Sequence, residues 1–162
     1  MSETPAPQAL SPTMTVRKAT ASDIPALTAN IMAMAQESEG RKLDLATLSA
    51  GIRRVFEEPA LGTYWIANSA TGEVIASCLM TVEWSDWNNA PYVWFQSVYI
   101  APAWRGKGVF AEMMKTIEAD ARQSGACELR LYVETNNARA IRAYEKCDFI
   151  SGHYQVMEKR LY

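Results

Sequence analysis

The stretch that decides the fold is Arg105-Gly106-Lys107-Gly108-Val109-Phe110, a basic, glycine-rich loop between a predicted strand and a predicted helix. Backbone N–H groups at the start of a helix have no acceptor within the helix, so they can converge on an anion. Gly106 and Gly108 lack the side chains that would block close approach, and Arg105 and Lys107 add positive charge. The loop therefore predicts a phosphate site; the alternative is a basic surface turn.

Hydrophobic spacing on both sides of the loop predicts alternating strands and helices. We predict strands at Met14–Lys18, Tyr64–Ala67, Val74–Trp84, Tyr92–Ile100, Glu128–Val133 and His153–Leu161. We predict helices at Ile24–Ala35, Leu45–Phe56, Phe110–Gly125 and Ala138–Lys146. Gln36–Gly40 is expected to break the first helix, and Asp44 to cap the second. This order, β-α-α-β-β-β-α-β-α-β, predicts an α/β fold with a mixed sheet.

Composition bounds the class of protein. The chain has 162 residues, 49% of them hydrophobic, which suits one globular domain over residues 14–162. A net charge of -2 does not indicate the strongly basic surface that nucleic-acid-binding proteins carry. It still allows one basic pocket for a phosphorylated small molecule. Residues 1–13 are rich in proline, lack the regions of a signal peptide and are expected to be a disordered lead-in. With no bilayer-spanning stretch, we expect no membrane contact and a cytoplasmic location.

The cysteines and the one histidine do not suggest a reactive centre. Cys78, Cys127 and Cys147 lie at unrelated spacings, and His153 is the only histidine. We therefore expect structural thiols, no metal site and no Cys/His nucleophile.

Two other phosphate motifs fit the loop poorly. A Walker A loop needs Ser or Thr after its lysine, but Gly108 follows Lys107. Gly106, Gly108 and Ala111 satisfy the dinucleotide pattern G-x-G-x-x-A, yet the glycines do not follow the strand directly. Too little chain remains to complete a dinucleotide-binding domain.

The loop resembles that of the GNAT superfamily of acetyltransferases. The family pattern Q/R-x-x-G-x-G/A corresponds to Ala103 to Gly108, with Ala103 in place of the usual first residue. Phe110 stands where the extended pattern has Gly or Ala, which crowds the start of the helix. A second family pattern, N-x-x-A-x-x-x-Y-x-x-x-G-F, corresponds to Asn137, Ala140, Tyr144, Asp148 and Phe149. Asp148 replaces its glycine, and Asp tolerates the left-handed conformation better than most residues.

The resemblance implies a fold and a cofactor. The fold would be a GNAT-like mixed, mostly antiparallel sheet with a central parallel strand pair splayed for coenzyme A, flanked by about four helices. The co-substrate would be acetyl-CoA, with no metal. Its binding residues would be Val98, Tyr99, Ile100, Arg105, Gly106, Lys107, Gly108, Val109, Phe110, Asn137, Tyr144 and Lys146.

The resemblance also implies direct transfer of the acetyl group to an amine. The Val98 N–H would polarise the thioester carbonyl, and Tyr144 would protonate the departing thiolate. The general base is open: Glu83 ranks first, then Asp86, then Tyr132 through water.

Acidic and aromatic residues suggest which amine is accepted. Glu37 would face the acceptor from the loop after the first helix, as would Glu39. The opposite wall would hold Glu83, Trp84, Asp86, Trp87 and Tyr132. Carboxylates beside aromatic rings favour a cationic amine, although Trp84 and Trp87 are equally typical of edge packing. A non-catalytic acyl-CoA sensor and a transferase for longer acyl-CoAs stay open, and a homodimer is common among similar proteins.

Overall fold

The computed structural model describes residues 13–161, which form two compact units, residues 13–132 and residues 133–161. The predicted disordered lead-in lies, apart from Thr13, outside the described residues. The first unit contains β1 (Met14–Lys18), α1 (Ile24–Glu39), α2 (Leu45–Glu57), β2 (Thr63–Ser69), β3 (Val74–Ser85), β4 (Ala90–Ile100), α3 (Val109–Gln123) and β5 (Glu128–Leu131). The second contains α4 (Ala138–Glu145). Among the described residues, no helix is both long and apolar enough to cross a membrane.

The five strands form one sheet in the order β1-β2-β3-β4-β5. Neighbours are antiparallel except for β4 and β5, which are parallel and are joined through α3. A parallel pair needs such a crossover because its strands enter the sheet from the same end. The predicted mixed sheet with one parallel pair is confirmed.

The sheet has a helical layer on each face. Leu27 and Ile31 of α1 and Ile52 of α2 form a buried cluster with Tyr64 and Ile66 of β2. Because side chains alternate along a strand, Trp65 lies on the other face. There Lys18 contacts the Trp65 ring and pairs with Asp120 of α3 at 2.7 Å. α1 and α2 therefore cover one face, which we call the α1/α2 face, and α3 covers the other.

The first helix runs further than its sequence suggests. The predicted break at Gln36–Gly40 is wrong, because α1 continues to Glu39. Glutamine, glutamate and serine are all tolerated in a helix, and the helix stops only at Gly40, which adopts a φ of 62°. Glu37 consequently lies on the last helical turn and not on a loop.

The predicted last strand is also wrong. Residues 150–161 of the described chain contain no helix or strand. Ile150, Met157 and Leu161 are 91%, 94% and 86% exposed, so the segment buries little apolar surface to offset the entropy of ordering a strand. The parallel pair therefore lies at the end of the described sheet and not at its centre.

Gly62, just before β2, provides a stability test. It has a φ of 151°, and an added Cβ would lie 2.6 Å from the Met80 carbonyl oxygen. We expect Gly62→Ala to lower the free energy of unfolding by about 2 kcal/mol or more, because both the φ angle and a backbone contact oppose it. Chemical denaturation measures this change.

Gly51 supplies the matched control. It lies within α2 with open space around the added Cβ, so Gly51→Ala should raise stability by about 0.5–1 kcal/mol. A Gly62→Ala protein as stable as the parent would contradict the packing described at this turn.

Candidate functional site

The parallel pair diverges after four pairs of residues. β4 pairs with β5 from Tyr92 opposite Glu128 to Phe95 opposite Leu131. Beyond Phe95, β4 continues to Ile100 and pairs, within the described residues, with β3 alone. The edge of β4 from Gln96 to Ile100 that faces away from β3 therefore offers N–H and C=O groups to an added strand or an extended ligand.

A β-bulge marks the start of this open edge. Ser77 pairs with Tyr99 but Leu79 pairs with Gln96, so two residues of β4, Ser97 and Val98, face the single residue Cys78. Ser97 adopts a φ of 50°, which is uncommon for a residue with a side chain. Bulges bend a strand and re-aim its groups, and they are frequent beside active sites. Val98 and Ile100 lie on this bent, open segment.

The glycine loop presents unpaired N–H groups immediately after β4. Gly106 and Gly108 have φ angles of 76° and 79°, which glycine alone adopts freely. In the described part of the chain, the N–H groups of Gly106, Lys107, Gly108 and Val109 have no acceptor. Such a run at a helix N-terminus fits a pyrophosphate.

Phe110, at the start of α3, contacts the sheet. Its ring lies 6.4 Å from the ring of Phe95, centroid to centroid, in a tilted contact. The side chain therefore packs towards the sheet, and the start of α3 is anchored to β4.

Arg105 and Glu37 form a pair instead of serving separate ligands. Arg105 donates from Nε to the Ile100 carbonyl oxygen at 2.8 Å and from Nη2 to Glu37 at 2.5 Å. Its guanidinium lies 5.6 Å from the centroid of the Tyr99 ring. Burial raises the pKa of the Tyr99 hydroxyl above its ordinary value, and the charge of Glu37 raises it further. The pair thus joins the last turn of α1 to the end of β4.

Two predicted acceptor residues, Glu83 and Tyr132, contact the same side chain, Trp94. The Trp94 indole Nε1–H donates to Glu83 Oε2 at 2.6 Å. The Tyr132 ring stacks on Trp94 with centroids 4.6 Å apart. Residues opposite each other in a sheet share a face. Thr81 is opposite Trp94 and Glu83 is opposite Tyr92, so Glu83 and Trp94 lie together on the α1/α2 face.

A cation that the sequence did not point to lies beside this group. Arg130 of β5 is opposite Trp94, and its guanidinium lies 3.5 Å from the Tyr92 ring centroid and 5.6 Å from that of Trp94. Arg130 Nε also donates to Glu128 at 2.8 Å, which is the main cause of the raised pKa of Arg130. Cross-strand register brings these residues together, and register is not readable before the strands are paired.

The predicted acceptor residues that follow Glu83 lie on the opposite face of β3 or in the turn after it. Trp84 follows Glu83 on β3, so it points to the opposite face, where 62% of it is exposed. Asp86 and Trp87 lie in the turn at residues 86–89, and Trp87 is 86% exposed.

The sheet register separates Glu83 from Val98. Glu83 is opposite Tyr92, and Val98 follows Tyr92 by six residues on β4. At about 3.3 Å per residue this is roughly 20 Å of strand, shortened slightly by the bulge. Direct proton transfer needs the two heavy atoms about 3 Å apart. For an acyl group held at Val98, the separation favours a binding role for Glu83 over direct proton transfer, and Asp86 is further still.

The second unit carries the other predicted residues on and after α4. Asn137 Oδ1 accepts the Ala140 N–H at 3.0 Å and caps the helix. The Phe149 N–H donates to the Tyr144 carbonyl oxygen, and Asp148 adopts a φ of 64°, which confirms the predicted left-handed position. Tyr144 meets Phe149 edge-on at 6.0 Å between ring centroids. The roles of Asn137, Tyr144 and Lys146 towards a cofactor stay predictions.

Comparison with known proteins identifies similar sequences. Residues 30–149 match the model of the Acetyltransferase (GNAT) family. Streptothricin acetyltransferase from Streptomyces lavendulae is 33% identical over 92 residues, which cover 57% of this chain and 47% of that protein. The chain thus spans about half the length of this curated relative.

Solved structures show the same architecture. A possible acetyltransferase from Clostridium difficile 630 superposes with a TM-score of 0.84 at 29% identity, covering 92% of this chain and 98% of that one. A predicted acetyltransferase from Clostridium acetobutylicum, solved with acetyl-CoA, has a TM-score of 0.72 at 19% identity and covers 91% and 96%. At that identity the second likeness shows the fold alone.

The Arg105–Glu37 pair can be tested by a double-mutant cycle. We expect Glu37→Gln and Arg105→Gln to couple by about 0.5–1 kcal/mol in unfolding free energy, because both side chains are partly exposed. The coupling should shrink at high salt. The cycle Arg54→Gln with Glu58→Gln, an exposed pair within α2 and its C-cap, is the control and should give less. Additive effects at Glu37 and Arg105 would mean that the contact does not persist in solution.

Proposed function

We propose that this chain, which belongs to the Acetyltransferase (GNAT) family, transfers the acetyl group of acetyl-CoA directly to a primary amine. The observation that carries the proposal is the succession, within residues 96–110, of an open bulged strand edge and a run of unpaired loop N–H groups. An extended ligand ending in a pyrophosphate has the chemistry that complements both. Acetyl-CoA is such a ligand.

The binding step uses backbone groups more than side chains. Val98 and Ile100 would pair with the pantetheine amides as an added strand would, with Tyr99 between them. The loop from Arg105 to Phe110 would hold the pyrophosphate, with Lys107 as its available cation. Asn137 and Lys146 would complete the contacts to pantetheine and phosphate.

The chemical step forms a C–N bond and breaks a C–S bond. The Val98 N–H would stabilise the negative charge that develops on the carbonyl oxygen as the amine attacks, an effect of about 3 kcal/mol for one such donor. Tyr144 would donate its proton to the sulfur as the thiolate leaves. The proton that the amine loses would pass to water and then restore Tyr144.

The cysteine opposite the bulge supports direct transfer. Cys78 is buried, and burial raises the pKa of its thiol to about 12. Because the thiolate is the nucleophile, this thiol is unreactive near neutral pH. An acyl-cysteine intermediate at this position is therefore disfavoured.

The proposal is tested by release of free thiol from acetyl-CoA across a panel of primary amines. We expect amine-dependent release, and we expect Tyr144→Phe to lower kcat by roughly 10²–10⁴-fold while acetyl-CoA still binds. Tyr154→Phe, at a tyrosine that is 74% exposed, is the control.

Two outcomes would contradict this account. Tight binding of acetyl-CoA without release for any amine would favour a sensor over an enzyme. An unchanged rate for Tyr144→Phe at every pH would remove Tyr144 from the acid role.

The charges of the loop give a second prediction. Arg105 is already bonded to Glu37 and Ile100, whereas the only contact of the Lys107 ammonium within the described residues is the Trp104 ring, 5.4 Å from its centroid. We expect Lys107→Gln to raise the acetyl-CoA Kd by roughly fivefold and Arg105→Gln by less than about twofold. Isothermal titration measures both, and the reverse ranking would show that the phosphates take Arg105 from Glu37.

A further inference from the structure

Glu83 differs from the neighbouring carboxylates in forming no ion pair among the described residues, although it lies close enough to Arg130 to feel that charge. Glu37 is paired with Arg105, and Glu128 is paired with Arg130. Within the described chain, the only polar contact of Glu83 is the neutral Trp94 indole N–H. The wall formed by Glu83, Glu128 and Arg130 therefore carries one unbalanced negative charge, and that charge is exposed.

The Trp94 contact leaves half of the carboxylate available. The indole N–H occupies Oε2 at 2.6 Å, while Oε1 has no donor among the described residues. A short bond from a ring that is itself stacked on Tyr132 restricts how the carboxylate can rotate. Oε1 is thus held in place as an acceptor on an exposed side chain beside Trp94.

The position of this carboxylate argues for binding and not for proton abstraction. The open edge of β4 begins at Gln96, two residues beyond Trp94, whereas Glu83 is opposite Tyr92. A group bound at Glu83 therefore lies on the α1/α2 face of the sheet. It lies several residues along the strand before the open edge of β4 begins. A second charge on the acceptor would reach Glu83 while the reacting amine lies further along β4.

We propose that Glu83 and Trp94 form an acceptor subsite for a second cationic group, so that the preferred acceptors are amines carrying another positive charge several bonds away. Glu83 binds that ammonium, and Trp94 is a positioning residue that orients the carboxylate. The subsite rests on the proposed function, because it selects among amines that the acetyl transfer would use.

The test compares acceptors that differ only in the distal charge. Thiol release is measured for diaminodecane against n-decylamine and for diaminododecane against n-dodecylamine, because only a long diamine can extend from Val98 towards Glu83. The wild-type protein should prefer each diamine in kcat/KM by roughly tenfold, as expected for one partly exposed charge-assisted contact. Glu83→Gln should lower this diamine-to-monoamine ratio to near one, and Trp94→Phe, which keeps a ring but removes the N–H, should lower it by roughly threefold.

The control variant is Glu73→Gln, an exposed carboxylate in the β2–β3 turn, which should keep the wild-type ratio. A Glu83→Gln protein that loses rate equally with diamines and monoamines would overturn the subsite, because that pattern marks a general role in the reaction. A wild-type ratio near one would overturn it as well. Absence of turnover with all four amines would instead count against the proposed transferase.

A spectroscopic readout separates positioning from folding. The Trp94 indole N–H resonance, assigned by its loss in Trp94→Phe, should shift when cadaverine is added and should move much less with the uncharged pentanediol. In Glu83→Gln the shift with cadaverine should vanish. Equal shifts with cadaverine and pentanediol, or none with either, would contradict a cation site at Glu83.

Discussion

The register of β4 against its two neighbours is the constraint on which the rest of the site depends. β5 accompanies β4 only as far as Phe95, and the extra residue at Ser97 and Val98 bends β4 just beyond that point. Backbone N–H and C=O groups that would normally bond to a neighbouring strand are thereby left for a ligand. The glycine loop follows directly, so one continuous segment presents first a strand edge and then unpaired N–H groups.

Charge pairing then decides which side chains remain for substrates. Arg105 and Glu37 neutralise each other at the end of α1, and Arg130 and Glu128 do so on the strands. Such partly exposed pairs contribute little stability, but each removes a charge from competition for ligands. Among the described residues, Lys107 and Glu83 contact aromatic rings and form no ion pair. These two charges are opposite in sign, as a phosphorylated donor and a cationic acceptor would require.

The sequence predicts local features well where one residue controls the conformation. The position of the glycine loop between β4 and α3, the Asp44 cap and the left-handed Asp148 all depend on near neighbours and are confirmed. Five of the six predicted strands and the four helices follow from hydrophobic spacing, and the parallel pair follows from the family resemblance.

Features that depend on distant residues could not be read in this way. Nothing near Ser97 signals a bulge, since the extra residue exists only relative to β3. Trp94 and Arg130 join the candidate site only through cross-strand contacts. Strand alternation places Trp84 on the opposite face of the sheet from Glu83. The segment after His153 has the composition of a strand but no hydrogen-bonding ladder in the described chain. The hydrophobic pattern of a segment does not show whether another strand is available to pair with it.

The claim that this segment of β4 and its loop hold acetyl-CoA is tested most directly by amide hydrogen exchange. With acetyl-CoA present, we predict slower exchange at the amides on the open side of β4 within Gln96–Ile100 and at those of Gly106–Val109, because these would gain acceptors from pantetheine or pyrophosphate. Amides of β1, at the other edge of the sheet, should exchange as before. Bound acetyl-CoA with unchanged exchange over residues 96–109 would contradict the account.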